Sequence, residues 1–157
     1  MMSLFLTTLL ACAVTRSGLL HAAGEGEGVS MTVYDGGAQL ALSLDDASAP
    51  LRGADGVVVE VRGFWVAGRL LVRDWRVLDA GDGSGGFVGP LVPWGSRLRI
   101  EDRNSGSTLL VDDASALKLR GLEGHTVLLM GHVIGGGIIE VVAVRDLTPG
   151  PAGTETK

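Results

Sequence analysis

The sequence predicts an all-β protein made of two tandem copies of one β-β-α-β-β unit, each holding a short helix. Three observations lead there. Glycine supplies 25 of 157 residues, scattered through the interior, which opposes long helices and suits strands joined by tight turns. Apolar and polar residues alternate with period two in several runs, the pattern of a sheet wet on one side. Finally, Asp45-Asp46-Ala47-Ser48-Ala49 recurs as Asp112-Asp113-Ala114-Ser115-Ala116, an offset of 67 (112 − 45), and Leu51-Arg52-Gly53 recurs as Leu119-Arg120-Gly121, an offset of 68 (119 − 51). Ordered matches in nearly one register mark a duplication.

The chain opens on an apolar run at residues 4–14 (LFLTTLLACAV). It is too short to cross a bilayer as a helix and the right length for the core of a signal peptide. Residues 1–23 are therefore expected to form an export leader outside the fold, although no Lys or Arg precedes Arg16. Two exits are open. Leu9-Leu10-Ala11-Cys12 resembles a bacterial lipobox, in which Cys12 would carry the lipid and give the only membrane attachment expected. Alternatively, cleavage follows Ala22 or Ala23. Either exit implies a periplasmic or extracellular protein, and residues 24–30 follow as a flexible spacer.

The first repeat is expected over residues 31–79. Its strands fall at 31–35, 39–44, 57–66 and 69–78, with a helical turn at 46–51. In the third strand Val57, Val59 and Val61 alternate with Val58, Glu60 and Arg62, so Trp65 shares the parity of the core residues and Phe64 that of the outward ones. In the fourth, the pair Leu70 and Val72 is out of phase with the pair Trp75 and Val77, which predicts a β-bulge near Arg73-Asp74. Residues 80–96 read as a linker or a shared strand. The second repeat spans 97–147, with strands at 97–101, 108–111, 125–133 and 138–144, and a helix running through Lys118; residues 148–157 read as a disordered tail. Asp45, Asp46, Asp112 and Asp113 are expected to cap the two helices, since each pair directly precedes one.

The segment from Leu98-x-Ile100-x-Asp102 through Gly106, Leu109-x-Val111 and Val127-x-Leu129-x-Gly131-x-Val133 to Ile139-x-Val141 is similar to small exported bacterial OB-fold proteins. Gly86-Phe87-Val88-Gly89-Pro90 resembles a Gly-Phe-x-Gly-Pro segment found ahead of such barrels. The resemblance is best over residues 87–146, and it implies OB-like units in both copies. Residues 87–92 or the bulged strand at 70–78 can supply the second copy's first strand, so the units would be either two small Greek-key barrels or one fused pseudo-twofold β assembly sharing the strand at residues 70–78.

No catalytic site, metal site or cofactor is expected. The body holds no Cys beyond Cys12, and it contains no Walker loop, H-E-x-x-H, G-x-S-x-G or dinucleotide fingerprint. His125 and His132, seven residues apart on one strand, point to opposite faces and cannot share a metal; His125 reads as a hydrogen-bonded strand-end residue. The Asp79 to Gly86 stretch lacks the spacing and closing glutamate of a calcium loop. The net charge of −5 disfavours general nucleic-acid binding. The remaining candidates are an aromatic and arginine set, Trp94, Arg97, Arg99, Arg103, Phe64 and Arg62, able to stack a ligand. The expected function is a non-catalytic binding module of the bacterial envelope. The alternative is an envelope assembly component acting through protein contacts, self-association included, and a third reading is binding of single-stranded nucleic acid or oligosaccharide.

Overall fold

The computed structural model describes residues 12–22 and 28–148. Its elements run β1 (Val14–Ala22), β2 (Val29–Val33), β3 (Gln39–Leu44), a 3-10 helix (Ala49–Gly53), β4 (Val58–Val66), β5 (Arg69–Asp79), β6 (Phe87–Trp94), β7 (Arg97–Glu101), β8 (Thr108–Val111), α1 (Asp113–Lys118), β9 (Thr126–Gly135) and β10 (Ile138–Asp146). The molecule is mostly β, in two five-stranded sheets. The first is ordered β1-β2-β3-β5-β4 and closes where β4 pairs with β1. The second is ordered β6-β7-β8-β10-β9 and closes where β9 pairs with β6. In each, the third and fifth strands pair in parallel and the other neighbours are antiparallel.

The duplication persists pair by pair. Leu20 faces Met31 as Leu91 faces Ile100, and Gly18 faces Val59 as Gly89 faces Val127. Gly63 faces Val72 as Gly131 faces Val141. Both fifth strands then carry one extra residue at the same place, Arg73 in β5 and Val142 in β10. The bulge expected near Arg73-Asp74 is therefore present. It lets Leu70, Val72, Trp75 and Val77 all reach the interior despite their broken phase.

Close backbone approach explains four glycines. A Cβ at Gly18, Gly63, Gly89 or Gly131 would lie 2.1, 1.9, 1.9 or 2.1 Å from the carbonyl oxygen of Thr32, Leu71, Glu101 or Glu140 respectively. Each barrel thus needs a bare backbone in its first and fourth strands, where the curved sheet folds tightly on itself.

Inward residues fill each barrel: Leu20, Met31, Val59, Val61, Leu70 and Val72 in the first, and Leu91, Ile100, Val111, Val127, Leu129 and Ile139 in the second. Val88, Leu128 and Leu147 leave the second barrel's core and join the first cluster. The barrels therefore share an apolar contact.

Several expected boundaries change. Residues 14–22, assigned to the leader, form β1, with Leu20 fully buried and the His21 ring 2.8 Å from the Thr32 hydroxyl. Strand and signal-peptide core look alike in sequence because both want apolar residues; pairing with β2 and β4 decides it here. Of the two segments that could supply the second copy's first strand, β6 from Phe87 does, so that barrel starts before residue 97, residues 80–96 are not all linker, and β5 belongs to the first sheet alone. Among the described residues no strand is shared between the two sheets. The first helix is a 3-10 helix starting at Ala49, with Pro50 in its opening turn. Trp65 is exposed, because its inward parity falls past the barrel rim. Most of the apolar run, Ala23, most of the spacer and nearly all of the tail lie outside the described residues.

Candidate functional site

The six residues of the aromatic and arginine set fall in three places. Alternation in β7 sends Leu98 and Ile100 inward and Arg97, Arg99 and Glu101 outward. Trp94 faces Arg97 across a turn in which Gly95 supplies a positive φ of 61°. The Trp94 side chain is 56% exposed, and the Arg99 guanidinium lies 4.5 Å over its ring centroid. Arg99 also donates to Glu101 at 3.1 Å, while its Nε is buried and meets no hydrogen-bond partner among the described residues. Arg97 reaches Asp113 at 3.3 Å, in the first turn of α1. Trp94, Arg97 and Arg99 therefore form one shelf on the β6–β7 hairpin.

Arg103 goes elsewhere. Its Nε donates to the Trp75 carbonyl at 3.0 Å, its second arm meets Asp74 at 2.8 Å, and its guanidinium lies 4.9 Å over the Trp75 ring. It lines a polar groove of about 390 Å³ between the barrels with Arg62, Arg76, Glu60 and Asp74. Arg76 pairs with Glu60 at 2.9 Å, and Arg62 makes no salt bridge among the described residues. Phe64 stands apart from both places, half-buried on β4 opposite Leu71.

Of the four aspartates expected to cap the helices, only Asp112 does; the first helix has Ser48 as its N-cap with no side-chain cap bond, Asp45 braces the turn before it, and Asp113 is already the first residue of α1. Asp112 accepts from the N–H groups of Ala114 and Ser115, both at 3.2 Å, as the N-cap of α1. Asp45 accepts from the Ser48 hydroxyl at 2.8 Å and its N–H at 3.0 Å, and pairs with Arg73 at 2.9 Å. These bonds hold both carboxyls below the usual 3.8, through Ser48 first in one case and the Ser115 side chain first in the other. Asp46 is exposed, and Asp113 serves Arg97. In the Asp79 to Gly86 loop, Asp79 accepts from Gly81 and Gly83, and Asp82 from Ser84, so those carboxylates brace their own turn.

His125 meets Asp146 at 2.7 Å and His132 meets Glu140 at 3.0 Å. Among the described residues no three His, Cys, Asp or Glu side chains converge. Cys12 is exposed, two residues ahead of β1.

Sequence reasoning missed Asp102 and Asn104. Asp102, 3% exposed, accepts from the N–H groups of Val88 and Ser105 and from the Ser105 hydroxyl. Asn104 bridges the barrels, accepting from the Val77 N–H at 3.0 Å and donating to the Gly85 carbonyl at 3.2 Å. The local signal was a turn, which both serve; their distant partners leave no trace nearby in sequence.

No protein-family model, curated protein or solved structure matches this chain. Chemically, the shelf offers an aromatic surface flanked by guanidinium donors, a combination that binds by stacking and hydrogen bonding.

Proposed function

We propose that this chain is a non-catalytic, OB-fold-like binding module of the bacterial cell envelope whose ligand rests on Trp94. The shared strand order, with its parallel third and fifth strands and a short helix before the fourth, supports tandem OB-like units. In that fold the loop between the first two strands is a recurrent ligand contact, and Trp94 ends the strand that enters this loop in the second barrel.

The observation that carries the reading is the exposed Trp94 ring stacked with Arg99. Arg97 and Arg99 are each offset by a carboxylate, so the shelf suits the face of a sugar or another flat, weakly charged group better than a phosphate chain. Export in this reading ends the leader before Cys12, because cleavage after Ala22 or Ala23 would remove β1 and leave Leu20's place in the core empty. Mass measurement of the native N-terminus tests that point.

Calorimetric titration of the protein with envelope-derived oligosaccharides, and with single-stranded DNA as control, tests the binding role. Saturable oligosaccharide binding, weakened at least about tenfold by Trp94→Ala, corresponding to roughly 1.4 kcal/mol, with unchanged melting temperature, is expected. Absence of binding, or equal binding by Trp94→Ala, rejects the shelf. A second reading, an assembly component acting through protein contacts, draws support from the open edge of β10 described next.

A further inference from the structure

Within the chain, one barrel already docks on the other. The contact seats the β7–β8 turn on the outer edge of β5: Arg103 donates to the Trp75 carbonyl, and the Val77 N–H donates to Asn104. β3 pairs with β5 only from Leu70 to Val72. The later edge would otherwise present unpaired backbone groups.

Equivalent registers identify what is left over. Trp75 and Val77 face Val61 and Val59 as Val144 and Asp146 face Leu129 and Val127. β8 reaches β10 only at Ile138 and Ile139, so among the described residues no strand covers this edge over 142–146. Val142, the bulge residue, is 69% exposed there. The docking turn has an unused counterpart as well. The Tyr34 N–H donates to the Ser17 carbonyl as Arg103 does to Val88, and Val33 donates to Ala38 as Asp102 does to Ser107. Tyr34 is 63% exposed, beside a hollow of about 480 Å³ lined by Thr15, Ser17 and Val33. The edge is open around Val142 to Val144, while beyond it Arg145 donates to the Asp55 carbonyl and Asp146 and Leu147 lie beside Gly53 of the first barrel; the Tyr34 turn is a plug with no socket among the described residues.

We propose that a second copy of this chain docks its Tyr34-Asp35 turn on the β10 edge, repeating between molecules the contact that joins the barrels within one. The inference rests on the assembly reading above. Asp35 stands where Asn104 stands in the equivalent turn. Tyr34 packs on Val142 and Val144, with its hydroxyl donating to the Val144 carbonyl. The two surfaces differ, so the contact is heterologous and propagates into a ring or an open chain. It is weaker than the internal one, because the first barrel shows Glu60 and Arg62 where the second packs Leu128 and Met130.

Sedimentation velocity and light scattering on the full chain over a wide concentration range test it. The mean mass should rise with concentration past two chains. Tyr34→Ser removes the plug and Val142→Lys obstructs the open edge; each alone should remain monomeric, with circular dichroism unchanged. Mixed in equal amounts, the two variants should form a species that stops at two chains, because each supplies the half the other lacks. A wild-type protein monomeric throughout, a mass that neither substitution lowers, or a mixture no heavier than its components would overturn the proposal. Should either variant melt early, Tyr34→Phe and Val142→Thr, which keep the shapes, are to be read for partial loss in the same assay. Trp94 lies outside every substituted position, so oligosaccharide titration of the same samples judges the binding reading separately.

Discussion

β4 and β9 have matching inner faces and contrasting outer ones. Val59 and Val61 fill the first barrel as Val127 and Leu129 fill the second. On the other side, β4 presents Glu60 and Arg62 to water, while β9 buries Leu128 completely and Met130 partly against the first barrel. The same contrast separates Val33, a core residue, from its register equivalent Asp102, whose carboxylate ties Val88 and the docking turn together. Duplication therefore conserved what closes a barrel, and divergence of the outward residues made one copy a platform and the other its lid. Inner-face changes should act alike in both copies, whereas outer-face changes should act in one only.

The largest expected effect tests the likeness. Gly63→Ala and Gly131→Ala each force a Cβ onto a backbone carbonyl that has no flexible side chain to yield, so each should cost about 3 kcal/mol or more. Thermal unfolding by circular dichroism checks this. Similar losses support equivalent roles; a tolerated alanine at either position would mean that the strands there are not held so closely. The next effect tests the difference. Leu128→Ala should cost about 3 kcal/mol and weaken the barrel–barrel contact, resolving the melt into two steps, whereas Glu60→Ala at the equivalent place should stay within about 1 kcal/mol, the usual worth of a surface ion pair. Equal losses would refute the assignment of β9 as the covered strand.

The sequence carried the parts of this comparison that are local. A bulge at Arg73 was legible because polar Arg73-Asp74 breaks a clear alternation between Val72 and Trp75. Its twin at Val142 was not, since Ile138-Ile139 and Val141-Val142-Ala143-Val144 show no phase to break. Gly63 and Gly131 aligned by offset, but only the register reveals the carbonyl each accommodates. β1 was hidden because apolar residues before it suggested a leader, and strand pairing is a long-range property. For the site, Trp94, Arg97 and Arg99 came together through one hairpin, as their spacing implied. Arg103 looked the same in sequence, a cation beyond an alternating strand, yet its aromatic partner is Trp75, 28 residues away. Nothing near Arg103 encodes that choice.

The smallest effect distinguishes by acid the turn aspartate Asp45 from the helix cap Asp112. Asp45 and Asp112 are both held below 3.8 in the folded protein, by Ser48 and by the Ser115 side chain respectively. A carboxyl lowered by folding contributes its stability fully above its unfolded value and loses it as pH falls through the folded one. The decline should therefore begin near 3.8 and continue below it, and be absent at neutral pH. Asp112→Asn, which keeps an acceptor for the N–H groups but carries no charge, should flatten the share due to α1. Asp45→Asn should remove the larger salt-dependent share, because Arg73 pairs with Asp45 at 2.9 Å whereas Lys118 acts on Asp112 only as a charge without a direct contact. Melting temperatures of the wild type and both variants, measured down the acid limb at low and high salt, would show it. An Asp45 step no more sensitive to salt than that of Asp112 would mean that the Arg73 contact adds nothing to the turn, leaving the hydrogen bonds to Ser48 as its whole contribution.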